Sequence, residues 1–336
     1  MMEAVLSRVE AGHDLSMEEM SETISQVMEG KASDDQIARL LVGLHEKGET
    51  VAEVAGAAAA MRKQMTPIRT RHRDVVDIVG TGGDRSGTFN ISTAAALVTA
   101  AAGAPVAKHG NRRVTSPSGA ADVLAELGVN IEADVPLVEA CLDELGICFC
   151  FAPLLHKAMK HVAGVRKKLG IPTIFNILGP LANPAGAPFQ LLGVGKAELR
   201  PLLSEALLML GAQRVLVVHG ADGMDEVTVG GTTHVTEASG GRLREFEWNP
   251  SDFGLATSSR DHLLVDGPQQ SAAMIRDILD GQPGPPRDVV VANAAAALWI
   301  VGRADSPAAC AQLAAEAIET GQAKALLARL VERTAS

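Results

Sequence analysis

The sequence has no tyrosine, seven phenylalanines and two tryptophans, and its formal charge is −10 at pH 7. Proteins that bind single-stranded nucleic acid stack bases on aromatic rings and attract phosphates with basic residues. An excess of negative charge also repels anionic membranes. The composition therefore argues against nucleic-acid and membrane partners, and an anionic ligand would need local positive groups that overcome the overall field.

Cysteine is scarce as well. The four cysteines, Cys141, Cys148, Cys150 and Cys310, are too few and too irregular for a disulfide framework, and Cys148-x-Cys150 has neither redox nor zinc spacing. No apolar run approaches the roughly 18–20 residues that span a bilayer. Scattered charges in the amino-terminal segment MMEAVLSRVEAGHDLS leave no apolar core for a signal peptide. We expect a soluble, cytoplasmic protein with reduced cysteines.

Helix signals fill the first 65 residues or so. Three capping boxes each open a periodic apolar run, and glycines stand where helix ends need a left-handed residue. The boxes are Ser16 with Glu19, Ser33 with Gln36 and Thr50 with Glu53, and the glycines are Gly12, Gly30 and Gly48. Because the chain has 336 residues and domains usually contain about 50–250, we expect a small all-helical unit followed by a larger lobe.

From the segment VVDIVG, residues 75–80, onward, short valine-rich runs alternate with helical patterns. Such alternation is typical of crossover units around a parallel sheet. Residues 228–248 alternate polar and apolar positions with paired glycines, which predicts an antiparallel hairpin. The predicted fold class is therefore α/β, with a small helical amino-terminal domain and a larger domain built on a central, mainly parallel sheet.

A glycine-rich loop, GTGGD at residues 80–84, follows a predicted strand and precedes a helix expected to begin near Ser92 or Thr93. Glycines let a ligand approach the backbone, and free N–H groups at a helix start favour an anion, so phosphate is the expected ligand. A Walker loop is excluded because Thr88 follows Gly87 where lysine is required, and a dinucleotide fingerprint because Arg85 replaces its last glycine. A tight turn without ligand stays the alternative.

The next predicted strand ends in KHGNR, residues 108–112, before a second loop of similar build. Ligands of open α/β sheets bind beyond the carboxyl ends of the strands. Two neighbouring loops at that edge would together hold one extended, multiply phosphorylated molecule.

Five ordered motifs resemble the anthranilate phosphoribosyltransferase family. They are GTGGD, FNIST, KHGNR with the following ADVLAELG, FAPLLHKAMKHVAGVRKKLGIPTIFNILGPLANPA, and HGADGMDE, and the match covers nearly the whole chain, least well after residue 230. The resemblance implies transfer of the phosphoribosyl group from 5-phosphoribosyl 1-pyrophosphate to the amine of anthranilate, with release of pyrophosphate, in tryptophan biosynthesis. It also implies Mg²⁺, a homodimer, and the glycosyltransferase family 3 fold with a cleft between a helical domain, residues 1–70 with a contribution from about 165–185, and an α/β domain, residues 73–336.

The resemblance assigns donor binding to two loops. Their backbone donors and hydroxyls would cradle phosphate oxygens, and Lys108 would supply a mobile positive charge. Asp84 would meet a ribose hydroxyl or a metal-bound water, because phosphate repels it. The implied donor-binding residues are Gly80, Thr81, Gly82, Gly83, Asp84, Thr88, Asn90, Ser92, Thr93, Lys108, Ser116 and Ala120.

The resemblance also implies a metal site and an acceptor site. Magnesium would be associated with Ser92, Asp225 and Glu226; taken without the family, the Asp-Glu pair is more typical of solvated surface. Arg166 would pair with the anthranilate carboxylate through a forked ion pair, within the basic segment 156–168. The implied acceptor-binding residues are Gly80, His109, Asn111, His156 and Arg166.

An aromatic amine needs no covalent nucleophile, so the expected task is alignment at C1 of the ribose and stabilisation of separating charge, with Lys108 and Arg166 contributing. His156 and His161 are five residues apart, which fits no helical zinc pair, and we interpret both as structural or electrostatic. A general-base role for His109 stays open. Asn176 and GPLANP would form the hinge-side wall of the cleft, although glycine and proline alone would justify a turn there.

Some positions depart from the family pattern. They are Arg113, Pro117 and Ala120 in the second loop, Lys157 and Gly164 in the basic segment, and Ser271 in a later helix. They leave the assigned residues in place but bear on loop dynamics and acceptor range. Two other functions stay as alternatives: a pyrimidine nucleoside phosphorylase, and a non-catalytic paralogue on the same fold that binds nucleic acid.

Overall fold

The computed structural model describes residues 2–112 and 118–335. Its amino-terminal part is helical, as predicted, with helices α1 (Met2–Glu10), α2 (Met17–Met28), α3 (Asp34–Lys47) and α4 (Val51–Gln64). The three predicted capping boxes are all present, at Ser16, Ser33 and Thr50. Gly12, Gly30 and Gly48 have φ angles of 78°, 73° and 82°. Local capping thus fixes where these helices begin and end.

Within the described ranges, the remainder of the chain forms one seven-stranded sheet in the order β3-β2-β1-β4-β5-β6-β7. The strands are β1 (Val76–Gly80), β2 (Val106–Gly110), β3 (Ile147–Phe151), β4 (Phe189–Gly193), β5 (Arg214–Gly220), β6 (Thr233–Ser239) and β7 (Arg242–Trp248). The first five strands in this order, from β3 through β2, β1 and β4 to β5, are each parallel to their neighbours. The predicted hairpin is confirmed, because β6 pairs with β7 in antiparallel register with Ser239 opposite Arg242.

Helices cover both faces of the sheet. They are α5 (Ile91–Ala101), α6 (Ala120–Glu126), α7 (Val135–Leu145), α8 (Ala152–Leu155), α9 (Lys160–Leu169), α10 (Phe175–Leu178), α11 (Leu199–Met209), α12 (Pro268–Leu279), α13 (Pro285–Ile300), α14 (Pro307–Glu319) and α15 (Gln322–Ala335). The apolar α13, with Val290 and Leu298 fully buried, packs beside α5 in the core of the larger lobe. The mainly parallel α/β fold with a helical amino-terminal unit confirms the predicted class.

A second hydrophobic core joins the helical unit to the larger lobe. It contains Leu40 and Val54 of the helical unit, Val162 of α9 and Leu178 of α10, and it continues onto the sheet at Val217. This packing supports the proposed contribution of residues 165–185 to the helical domain, while the domain limits themselves stay a prediction.

Arg62 strengthens this junction. Its guanidinium Nε donates to the Leu181 carbonyl at 2.7 Å and Nη1 donates to the Leu210 carbonyl at 3.1 Å. The two carbonyls belong to the segment after α10 and to the end of α11, so one side chain of α4 ties the helical unit to both.

All four cysteines are buried with free thiols. In the described part of the chain, no helix is both long and apolar enough to cross a membrane.

Candidate active site

A cavity of about 220 Å³ opens at the carboxyl ends of β1 and β2. The predicted donor residues that line it are Gly80, Thr81, Gly82, Asp84, Thr88, Asn90, Ser92, Lys108 and Ala120. Gly83 and Thr93 belong to the same loop and helix start but do not line the cavity in the described structure. Ser116 lies outside the described residues, as do Arg113 and Pro117. The two predicted loops therefore do meet, because β1 and β2 are neighbours in the sheet.

The loop between β1 and α5 owes its course to glycine. Gly82, Gly83 and Gly87 have φ angles of 69°, 83° and 75°, which residues other than glycine rarely adopt. Helix α5 then begins at Ile91, slightly earlier than predicted, with the Asn90 Oδ1 atom accepting a hydrogen bond from the Thr93 backbone at 3.1 Å. The amino terminus of α5 therefore lies at the cavity, where its partial positive charge favours an anion.

Ser271 also holds this helix start. Its hydroxyl accepts a hydrogen bond from the Asn90 backbone at 2.9 Å, and the Asn90 amide donates to the Ser118 carbonyl at 3.1 Å. Ser271 is one of the departures from the family pattern, and it is fully buried. The substitution therefore retains a polar group, and that group links α12 to the start of α5.

Lys108 is not the mobile cation that the sequence suggested. Its side chain is buried, and the ammonium Nζ donates to the Ile78 carbonyl at 2.8 Å and to the Ser92 hydroxyl at 3.0 Å. Burial lowers the pKa of Lys108 to about 8, and the charges of Asp77 and Glu226 oppose that decrease. The ammonium is thus a fixed positive charge beneath the cavity.

Asp77 lies next to the point where the pairing of β1 with β2 ends. In the part of the chain that the structure describes, β1 and β2 pair only at Val76 and Val106, whereas β1 and β4 pair along their full length. Beyond that point the Asp77 Oδ1 atom accepts a hydrogen bond from the His109 backbone at 3.1 Å. Burial raises the pKa of Asp77 to about 6. Asp77 was not among the predicted site residues, although an acidic residue inside VVDIV was a signal.

The acidic residues Asp225 and Glu226 reach the cavity from the loop after β5. The Gly82 backbone donates to Asp225 Oδ2 at 3.0 Å. Burial, together with the nearby Asp84, raises the pKa of Asp225 to about 7, and burial and Asp225 raise the pKa of Glu226 well above its usual range. The pair is therefore not the solvated surface that the residues alone would indicate.

Asn293, which was not predicted as a site residue either, supports this acidic loop from α13. Its amide accepts from the Val227 backbone N–H at 2.9 Å and donates to the Val227 carbonyl at 2.8 Å. The side chain is fully buried. Both bonds fix the backbone one residue after Glu226, so the position of the acidic pair depends on a helix distant in sequence.

The side chains that could bind a metal ion in the cavity fit magnesium better than zinc. Among residues 2–112 and 118–335, no group of three or more His, Cys, Asp or Glu side chains is arranged to hold a metal ion. Magnesium, however, usually keeps several waters and takes one or two carboxylates together with substrate phosphates. A bound cation would offset the burial and mutual repulsion that raise the pKa values of Asp225 and Glu226.

The predicted acceptor residues divide into two sets. Gly80, His109 and Asn111 line the cavity, whereas His156 and Arg166 do not line it in the described structure. Arg166, on α9, donates from Nη2 to the Asn176 Oδ1 atom at 3.3 Å and lies over the Phe175 ring, 5.6 Å from its centroid. Arg112, which was not predicted as a site residue, joins the cavity wall.

Comparison with family models places this architecture in a known class. Residues 3–65 match the helical bundle domain of a glycosyl transferase family, and residues 72–324 match the a/b domain of a glycosyl transferase family. The protein is therefore a glycosyl transferase family member that joins a helical bundle to an α/β domain.

Curated relatives narrow the class. An anthranilate phosphoribosyltransferase of Rhodospirillum rubrum is 50% identical over 330 residues, which cover 98% of this chain and 95% of the relative. Another, of Rhodopirellula baltica, is 47% identical over 97% of this chain and 96% of the relative. The chain belongs to the anthranilate phosphoribosyltransferase family.

Solved structures agree with this assignment. The crystal structure of anthranilate phosphoribosyltransferase from Thermus thermophilus is 42% identical, with a TM-score of 0.93 over 98% of this chain and 99% of that one. The anthranilate phosphoribosyltransferase from Saccharomyces cerevisiae in complex with 5-phosphoribosyl 1-pyrophosphate (PRPP) and Mg is 27% identical, with a TM-score of 0.90 over 99% of this chain and 98% of that one.

Proposed function

We propose that the protein transfers the phosphoribosyl group of 5-phosphoribosyl 1-pyrophosphate to the amine of anthranilate. The products are N-(5-phosphoribosyl)anthranilate and pyrophosphate, the second step of tryptophan biosynthesis from chorismate. The observation that carries the proposal is the cavity in which a glycine loop, a helix amino terminus, a fixed lysine and a set of carboxylates converge. This combination suits a ligand that carries phosphates, a sugar and a metal ion.

The glycine loop and the start of α5 would hold the donor. The Thr81 and Gly82 N–H groups already donate to the Gly193 carbonyl and to Asp225. The Gly83 backbone N–H and the amino terminus of α5, with Asn90, Ser92 and Thr93, would therefore attract the phosphate oxygens. Lys108 would act by its charge from below the cavity, since its ammonium already bonds Ile78 and Ser92. Ser116 and Ala120 of the second loop would complete the donor site.

Magnesium would be held by Ser92, Asp225 and Glu226 together with oxygens of the donor. When bound, the ion neutralises negative charge that develops on departing pyrophosphate. Asp84 lies against Asp225 and would bond a metal-bound water or a ribose hydroxyl. The hydrogen bond from Gly82 to Asp225 links the phosphate loop directly to the proposed metal ligands.

The acceptor would approach between the cavity and α9. Its carboxylate would pair with the guanidinium of Arg166, and His109, Asn111 and Gly80 would form the wall nearest the donor. Burial and the adjacent His156 lower the pKa of His109 to about 3. An imidazole with so low a pKa is a poor proton acceptor near neutral pH, so we propose a neutral His109 that orients the acceptor. The chain then contributes alignment and electrostatic stabilisation, with no covalent intermediate.

Homodimer formation and a cytoplasmic location stay predictions. A pyrimidine nucleoside phosphorylase and a nucleic-acid-binding paralogue are disfavoured by the length of the match to anthranilate phosphoribosyltransferases.

The test is loss of anthranilate fluorescence in the presence of phosphoribosyl pyrophosphate and Mg²⁺. Arg166→Ala should raise the KM for anthranilate by about tenfold or more, because an ion pair to the carboxylate is worth about 1.5–3 kcal/mol. Lys167→Ala is the matched control, since Lys167 is exposed on the same helix and should leave both KM values unchanged. Magnesium-independent turnover, or none at all with bound donor, would contradict the proposal.

A further inference from the structure

His156 and His109 form a buried histidine pair at the edge of the cavity. Their Nε2 atoms are 3.2 Å apart, their ring centroids are 5.0 Å apart, and each residue is only 5% exposed. His109 is the penultimate residue of β2 and lines the cavity, whereas His156 follows α8 and stands behind it. A residue in that position reaches a bound molecule through its neighbour.

The chemistry of the pair fixes where its shared proton lies. Burial lowers the pKa of His109 to about 3 and that of His156 to about 4, so both rings are neutral near pH 7. One Nε2 atom must then donate and the other accept. The Ala182 backbone favours the protonated form of His156, yet no described residue stands in hydrogen-bonding geometry to its Nδ1 atom. Nε2 of His156, in contrast, has His109 Nε2 as a partner at 3.2 Å, so we place the proton on His156 Nε2.

The surroundings hold the pair rigidly. Asn183 donates from its amide to the Ala107 carbonyl at 2.8 Å, two residues before His109, and Gln190 donates to the Pro180 carbonyl at 2.7 Å. These bonds secure the segment after α10 against the sheet. The Gly179 backbone of this segment is also a hydrogen-bond partner of the His109 ring.

We infer that His156 is a positioning residue for the acceptor, which donates its Nε2–H to His109 and so holds that ring in one orientation and one tautomer on the cavity wall. The inference rests on the proposed function. A fixed, uncharged His109 leaves the acceptor carboxylate to pair with Arg166 rather than with an imidazolium, and thereby directs the amine toward the sugar. A ring free to rotate or to gain a proton would compete for the carboxylate.

Three variants of the full chain test this assignment by steady-state kinetics with both substrates. His156→Ala should raise the KM for anthranilate by about tenfold, the effect expected of one lost hydrogen bond, and leave the KM for the donor within about twofold. His156→Gln should stay within about threefold of wild type, because its amide N–H replaces Nε2–H. His161→Gln is the control for a neighbouring histidine outside the pair.

Nitrogen-15 NMR of the histidine rings gives a readout that does not depend on turnover. Wild-type His109 should carry its proton on Nδ1, and in His156→Ala its two tautomers should interconvert. Equal losses for both substrates, an unchanged anthranilate KM in His156→Ala, or a proton on His109 Nε2 would overturn the inference alone. Failure of the wild type to convert anthranilate would overturn the proposed function and the acceptor role together.

Discussion

Gly193, at the end of β4, lies directly against the backbone of Asp225. A Cβ atom at position 193 would overlap the carbonyl oxygen of Asp225, and one at Gly80 would approach the Asp225 carboxylate. The acidic loop therefore packs on the ends of two neighbouring strands, β1 and β4, which must be glycine. Because neither strand end has a side chain, the acidic loop can lie close to the glycine-rich loop.

Gly193→Ala should reduce activity by at least about 100-fold, because the acidic loop must move away from β4 and a misplacement of about 1 Å can cost that much in catalysis. The KM for Mg²⁺ should rise as well. Gly164→Ala is the control: no heavy atom of the described residues lies within 4 Å of a Cβ there. Because Gly164 is inside α9, alanine should stabilise the protein by about 0.5–1 kcal/mol and leave the KM for Mg²⁺ unchanged. Wild-type kinetics in Gly193→Ala would contradict this account.

Local chemistry made much of the fold predictable. Ser16, Ser33 and Thr50 each signal a helix start through a box of four residues, and Gly240 and Gly241 mark the turn of the hairpin between β6 and β7. Such signals lie within a few residues of the feature they specify. The motifs of the two ligand loops are local in the same sense, so the cavity at β1 and β2 was expected.

The support of the site was not predictable, because it depends on pairs far apart in the chain. Asn293 contacts Val227 across 66 residues, and His156 contacts His109 across 47. An asparagine in an alanine-rich helix or a histidine before a basic segment gives no local sign of such a partner. Lys108 likewise is held in its buried position by the Ile78 carbonyl, 30 residues away, which sequence periodicity does not encode.

Asn293→Ala should lower the free energy of unfolding by about 2–4 kcal/mol, since removal of the amide leaves buried backbone groups of Val227 unpaired at about 1–3 kcal/mol each. Activity should fall more than the folded fraction does, because the acidic pair loses its support. Denaturant unfolding and kinetics at a temperature where the variant is folded measure the two effects. Asn130→Ala is the control, as that exposed side chain accepts one hydrogen bond, from Glu132. Equal losses in both variants would be against the prediction.

The connection between the helical unit and β1 depends on Asp143 of α7. Its Oδ1 atom accepts from the Thr70 hydroxyl at 2.6 Å and from the Arg71 backbone at 3.0 Å. The Thr70 hydrogen bond is the main cause that lowers the pKa of Asp143. A lowered carboxyl pKa means that this stabilisation is present above the ordinary value of 3.8 and is lost as the pH falls through the folded value.

Asp143→Ala removes the acceptor of both hydrogen bonds and should therefore release the segment 69–73, which contains exposed arginines, at neutral pH. Limited digestion with trypsin should cut after Arg71 or Arg73 several-fold faster than in wild type. The exposed Asp305→Ala variant, which removes the same charge far from this connection, should be cut at the wild-type rate. Unchanged digestion of Asp143→Ala would show that the connection is held by other contacts.

Asp77 should make the stability of the protein decrease between about pH 4 and pH 6. Burial raises its pKa from 3.8 to about 6, so the folded state binds more protons than the unfolded state in that window, and stability falls as pH rises. A difference of about two pKa units corresponds to roughly 2–3 kcal/mol. The Asp77→Asn variant cannot ionise at this position. The difference between its free energy of unfolding and that of wild type should therefore increase in its favour by about that amount as the pH rises from 4 to 7.

Denaturant titrations at pH 4, 5, 6 and 7 measure this difference, and the window stays below the pKa of about 8 of the neighbouring Lys108. The exposed Asp35→Asn variant controls for the loss of one negative charge. Although Asp77→Asn should stabilise the fold, it should reduce activity, because it removes the anion that faces Lys108 beneath the cavity. The KM for the donor should rise several-fold. Parallel stability curves for Asp77→Asn and wild type would mean that the carboxylate is not desolvated. If the curves differ as expected, the Asp77 carboxylate destabilises the fold, and its role is to serve the site beside the buried Lys108.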